Sequence, residues 1–190
     1  MDIINFVLSG LGGQGILFMT KVLAQAALSK GYPVIGAETH GMSQRGGSVI
    51  SHLRIGDVQS SLVRTGAGHF LLSLDENEAY RNLPFLAASS KIYVNAENGS
   101  FPGKEVDLLF KKMNIVCRTL PVGKIAMDMG APLTTNLALI GFFAAFDDGP
   151  FTAQEIRETV RRFSPDRFQK INLEIFDACL LKGVQDKQQQ

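Results

Sequence analysis

The chain has 190 residues, 45% of them hydrophobic, with 19 basic against 18 acidic side chains, enough apolar material for one α/β domain with a real core. Balanced charge without a long basic stripe argues against nucleic acid as a partner, and no apolar run reaches the roughly 18 residues of a membrane span. The opening Met1-Asp2-Ile3 carries an acid where a signal peptide carries positive charge, so the expected location is cytoplasmic.

In chain order, residues 3–9 form a short apolar run rich in branched and aromatic side chains, a buried strand. Gly10-Leu11-Gly12-Gly13-Gln14-Gly15 turns the chain into a helix over about 15–30. There Lys21, Gln25 and Ser29 make one narrow wet stripe, and Gly31 ends the helix. A second strand over 32–38 completes a β-loop-α-β unit, which implies parallel pairing.

The polar connection His40-Gly41-Met42-Ser43-Gln44-Arg45-Gly46-Gly47 leads into a strand over 48–55. Gly56-Asp57 then marks a turn, and an antiparallel excursion through 60–63 is expected. A strand over 69–74 follows, with Asp75 capping a helix over 76–86. Beyond it come a strand at 91–95, a helix at 106–113, a strand at 115–120 and a helix near 124–129. In the helix over 133–146, Leu133, Leu137, Ile140 and Ala144 share one face, and Thr134 or Thr135 is the expected cap. Thr152 with Glu155 three residues later forms a capping box. Pro165 breaks that helix, and a last amphipathic helix runs over 168–182. The fold class is α/β, a Rossmann-like and mostly parallel sheet flanked by helices, with an antiparallel excursion. Residues 1–183 read as one domain and 184–190 as a disordered polar tail.

Cys117 and Cys179 stand alone, with no C-x-x-C, so the chain cannot supply the closely spaced thiolates of an iron–sulfur cluster. His40, His52 and His69 are scattered without metal-ligand spacing, and no metal site is expected. No catalytic acid/base pair stands out beyond the polar loop. The thirteen phenylalanines and the last helix supply more apolar surface than a small domain needs, the sign of an obligate interface.

Two loops carry the functional signal. Gly10-x-Gly12-x-x-Gly15, between a strand and a helix, fits the dinucleotide fingerprint. Glu38, at the end of the second strand, sits where an acid would hold a ribose. Against that, Glu38 runs straight into the polar loop and no residue set for hydride chemistry follows. The loop is therefore either an anion-binding turn or a tight turn only, and its residues are Gly10, Gly12, Gly13, Gln14 and Gly15. The polar loop gathers an imidazole, a hydroxyl, an amide and a guanidinium beside three glycines, more donors and acceptors than a closing turn requires. Arg45 there suits a planar contact to a carboxylate or phosphate.

The glycine loop, the loop from His40 to Ser48 and Arg54-Ile55-Gly56 together resemble the gamma-type domain of 2-oxoacid:ferredoxin oxidoreductases. Within that family the polar loop is most like the indolepyruvate-type small (beta) subunit. Softer matches are Leu74-Asp75-Glu76-Asn77-Glu78-Ala79 and Asn136-Leu137-Ala138-Leu139-Ile140-Gly141, so the resemblance covers about residues 3–182. It implies a chain that binds no cofactor itself and works in a hetero-oligomer. The large partner subunit would carry thiamine diphosphate and the iron–sulfur clusters, and coenzyme A and ferredoxin would be met through the complex. The polar loop would face the partner near its active site. Two other readings stay open, an NAD- or FAD-binding oxidoreductase and a non-catalytic scaffold of the same fold.

Overall fold

The computed structural model describes residues 2–40, 46–97 and 100–189. Six strands form one sheet: β1 (Ile4–Leu11), β2 (Val34–His40), β3 (Ser48–Ile55), β4 (Gly68–Ser73), β5 (Leu86–Asn95) and β6 (Val116–Leu120). Their order is β2-β3-β1-β4-β5-β6. β1, β4, β5 and β6 are parallel neighbours, while β3 runs antiparallel to both β1 and β2. The helices are α1 (Ile16–Ser29), α2 (Glu76–Asn82), α3 (Lys104–Met113), α4 (Val122–Asp128), α5 (Thr135–Ala144), α6 (Ala153–Phe163) and α7 (Asp166–Gln189).

Period-two alternation splits the core between the two faces of the sheet. Phe6, Leu8, Phe70, Leu72 and Tyr93 pack under α1, α4, α5, α6 and α7. Val7, Leu71, Ile92 and Val94 face the other way, against Ala79 of α2 and Phe110 of α3. β1 is the strand most enclosed by this arrangement, buried from Asn5 to Gly10.

Five expectations need correction. First, β1 and β2 run in the same direction but do not pair, because β2 and β3 form a hairpin and β3 takes the place beside β1. The antiparallel element is thus β3 itself. Residues 60–63 form no strand, with bends at 61 and 62, and Arg54 donates to the Ser60 carbonyl at 2.9 Å. Second, α2 stops at Asn82, and a 3₁₀ turn at Leu83–Phe85, with proline near its start, leads into β5. Third, α5 is buried all round, from Asn136 to Ala144, rather than on one face, because the sheet and α7 enclose it. Thr134 precedes it without capping it, its hydroxyl donating instead to the Ala131 carbonyl at 2.6 Å. Leu133 sits outside the core, 88% exposed. Fourth, α7 runs on to Gln189 where a disordered tail was expected. Straight-chain Gln and Lys residues favour helix, and Lys187 anchors this turn on Asp147 at 3.2 Å. Fifth, most phenylalanines line the core rather than an external face, among them Phe6, Phe142, Phe143, Phe151 and Phe176.

Local signals held where the chemistry is local. Asp75 accepts from the Asn77 and Glu78 amides, and Thr152 and Glu155 close a reciprocal capping box on α6.

Candidate functional site at the carboxyl edge of the sheet

The carboxyl ends of β1, β4 and β5 lie at one edge, and the hairpin register brings the polar loop to the same edge. Leu11 pairs with Ser48, and His40 with Val49. α1 leaves β1 toward one face of the sheet and α2 leaves β4 toward the other. Between these two strands lies the switch point at which open α/β sheets form their crevices.

The two loops are bonded to each other here. The Gly12 N–H donates to the Gly47 carbonyl at 2.8 Å, and the Gly46 N–H donates to the Gly12 carbonyl at 3.1 Å. Gly41, Met42, Ser43, Gln44 and Arg45 lie outside the described residues, so the structure bears on the polar loop through its two ends.

Gln14 occupies the crevice. Its side-chain carbonyl accepts the Leu11 N–H at 2.7 Å, and its amide lies 3.5 Å from the Leu74 carbonyl. Asn95 at the end of β5 donates to that same carbonyl at 3.1 Å and accepts the Gly123 N–H at 2.9 Å. Asn136 at the start of α5 donates to the Gly15 carbonyl at 3.2 Å. The glycines fit this closeness. A Cβ on Gly10 would stand 2.6 Å from Gln14 Oε1, and one on Gly15, whose φ is 83°, 2.4 Å from Asn136 Nδ2. Beneath them Ser9 Oγ donates to Ser73 Oγ at 2.8 Å, and Thr20 Oγ1 to Ser51 Oγ at 2.9 Å. A cleft of about 440 Å³ opens beside Gly13, Gln14, Asn95 and Gly123, rimmed by Leu133 and Met127.

Part of this turn is self-bonded. The Leu11, Gly12 and Gln14 amides are already engaged by Gln14, Gly47 and Leu11. Glu38 sits on the edge strand, with β3 between it and the glycine loop. Neighbouring strands lie about 4.8 Å apart, so it stands one strand beyond the position beside β1 where a ribose acid belongs.

No group of three or more candidate ligands assembles among the described residues. Cys117 and Cys179 pack on opposite faces of the sheet. Burial pushes both thiols up to about 12, far from thiolate character.

Sequence reasoning placed the two glycine-bearing loops, quoted Ser48, Glu78 and Asn136 only within family-like stretches without a role, and missed Asn95. A polar side chain at the head of an otherwise apolar run was the available signal for Asn136, as was an acid in the middle of a short helix for Glu78.

The fold and edge define a Rossmann-like domain whose glycine turn is locked to a second loop. Residues 5–180 match the family model described as pyruvate ferredoxin/flavodoxin oxidoreductase. The chain is 33% identical to the indolepyruvate oxidoreductase subunit IorB of Archaeoglobus fulgidus, over 90% of each chain. It is 34% identical to the IorB subunit of Thermococcus kodakarensis, over 91% of this chain and 92% of that one. Among solved structures, the gamma subunit of a keto/oxoacid ferredoxin oxidoreductase from Geobacter sulfurreducens superposes with a TM-score of 0.76. That match has 21% identity and covers 95% of this chain and 98% of the other. The chain belongs to the pyruvate ferredoxin/flavodoxin oxidoreductase family, and the two curated relatives named above are oxidoreductase subunits.

Proposed function

We propose that this chain is the small subunit of a cytoplasmic 2-oxoacid:ferredoxin oxidoreductase acting on an aryl pyruvate such as indolepyruvate. The reaction joins a 2-oxoacid to coenzyme A, releases carbon dioxide, and passes two electrons to ferredoxin. The large partner subunit holds the thiamine diphosphate and the iron–sulfur clusters, and the thiamine supplies the nucleophilic carbon and the electron sink for decarboxylation. Residues 1–183 act as one gamma-type domain, extended by the last turns of α7.

The observation that carries this reading is the bonded pair of loops. The two stretches most like the family, the glycine loop and the segment ending Gly46-Gly47, meet at one edge through Gly12. Beside them stand Leu133, 88% exposed, and Met127, 64% exposed, an apolar rim unusual for a site meant to face water. On this reading the edge faces the large subunit, and His40 to Gly47 approach its active site or the coenzyme A entry.

The test is co-expression with an untagged large chain, followed by affinity purification and mass spectrometry. The expected result is a stable complex containing the thiamine-binding chain. Leu133→Glu should weaken it about tenfold or more while leaving the isolated subunit's melting temperature unchanged, since that side chain packs little within its own chain. Recovery of the small subunit alone under co-expression would contradict the reading.

A further inference from the structure

Glu78 lies in α2 with 1% of its surface exposed, and a carboxylate so far from water is costly unless donors replace its hydration. Among the described residues it has two side-chain donors. Ser48 Oγ donates to its Oε2 at 2.6 Å, and Arg81 donates to its Oε1 at 2.8 Å. Arg81 is mostly in solvent, its side chain 68% exposed, and an exposed partner adds little. An apolar side chain would fill the same space without the desolvation cost, so what this position provides is an acceptor for Ser48.

Ser48 is where β3 begins, immediately after Gly46 and Gly47. That limb is therefore held twice. Its backbone is bonded to Gly12 in the turn that leads into α1, and its first hydroxyl is bonded to α2. α1 and α2 pack on opposite faces of the sheet, so the limb is clamped from both sides of the edge.

We propose that Glu78 is a positioning residue: through Ser48 it fixes the Gly46–Gly47 limb on the glycine loop, and so sets how this edge meets the partner chain. This rests on the subunit reading above, and the experiment separates the two.

Four chains are compared, wild type, Ser48→Ala, Ser48→Thr and Glu78→Leu, with the double variant Ser48→Ala/Glu78→Leu as control. In the isolated subunit, amide exchange at Gly12 and Gly46 should accelerate about tenfold in Ser48→Ala and Glu78→Leu, while Leu8 and Leu72 in the core keep their protection. Ser48→Thr retains the hydroxyl and should restore wild-type exchange. In the reconstituted complex Ser48→Ala and Glu78→Leu should each lower kcat about tenfold with little change in KM for the oxoacid, and the double variant should be no worse than Glu78→Leu. Unchanged exchange at Gly12 and Gly46 would overturn the proposal, as would protection lost evenly across the sheet. A complex that turns over fully without this chain would instead remove the subunit reading, and the exchange result would still decide whether Glu78 holds the limb.

Discussion

His52 and His69 each use Nδ1 to accept a backbone N–H, from Val63 at 3.3 Å and from Asn5 at 2.9 Å. A protonated imidazole has no acceptor to offer, and burial lowers both values from 6.5. Each folded value thus lies below the unfolded one, so the unfolded chain binds protons first. The stability these neutral rings contribute is fully present above about 6.5 and is lost as pH falls from there through the folded values. Melting temperature should be flat above pH 7 and begin to fall below about 6.5, and His52→Gln should reduce that slope. A flat profile down to pH 5 would contradict this. A second loss belongs at lower pH. Burial alone would raise the Asp148 carboxyl, but Lys91, Tyr93 and Arg118 together hold it below its ordinary 3.8. These roles were not legible in the sequence, because the partners are distant: His69 meets Asn5, and Asp148, between α5 and α6, meets Lys91 of β5. Spacing gave only the expectation that the histidines form no metal set, and it is silent on what they do.

Helices α5 and α7 cross so closely at Gly141 that a Cβ there would stand 2.3 Å from the Phe176 carbonyl oxygen. Backbone cannot yield as a flexible side chain can. Gly141→Ala should therefore force the helices apart and cost about 2 kcal/mol or more, read by urea unfolding of the isolated subunit. A loss under about 0.5 kcal/mol, the range of neutral surface changes, would mean the crossing relaxes freely. Elements were legible where their determinants are near neighbours. The Thr152–Glu155 box and the Asp75 cap are written within four residues, and the bounds of β3 follow from its flanking glycines and alternation. Pairing was not legible. Alternation identifies a strand but not its neighbour, so nothing local in Ser48–Ile55 announces that it lies between β1 and β2. The encircled burial of α5 is a similar case, since a wholly apolar run does not say which of its faces are covered.

At the scale of the molecule, the exposed apolar side chains are not where the count of phenylalanines pointed. The rings fill the core, and exposure falls on Leu133 and Met127 beside the glycine loop, with Leu108, Phe168 and Leu181 elsewhere. The candidate site was half legible. Both loops stood out by their glycines and polar groups, and the family resemblance paired them. That they bond each other through Gly12, and that Gln14 fills the crevice between them, depends on how β3 enters the sheet. The central claim is that this chain completes a catalytic complex whose cofactors lie on another subunit. Reconstitution tests it most directly: the large chain is assayed for ferredoxin reduction with an aryl pyruvate, coenzyme A and thiamine diphosphate, with and without this subunit. The account predicts turnover only when both chains are present, and none from either alone. Full turnover by the large chain by itself would contradict it and leave a non-catalytic scaffold of the same fold.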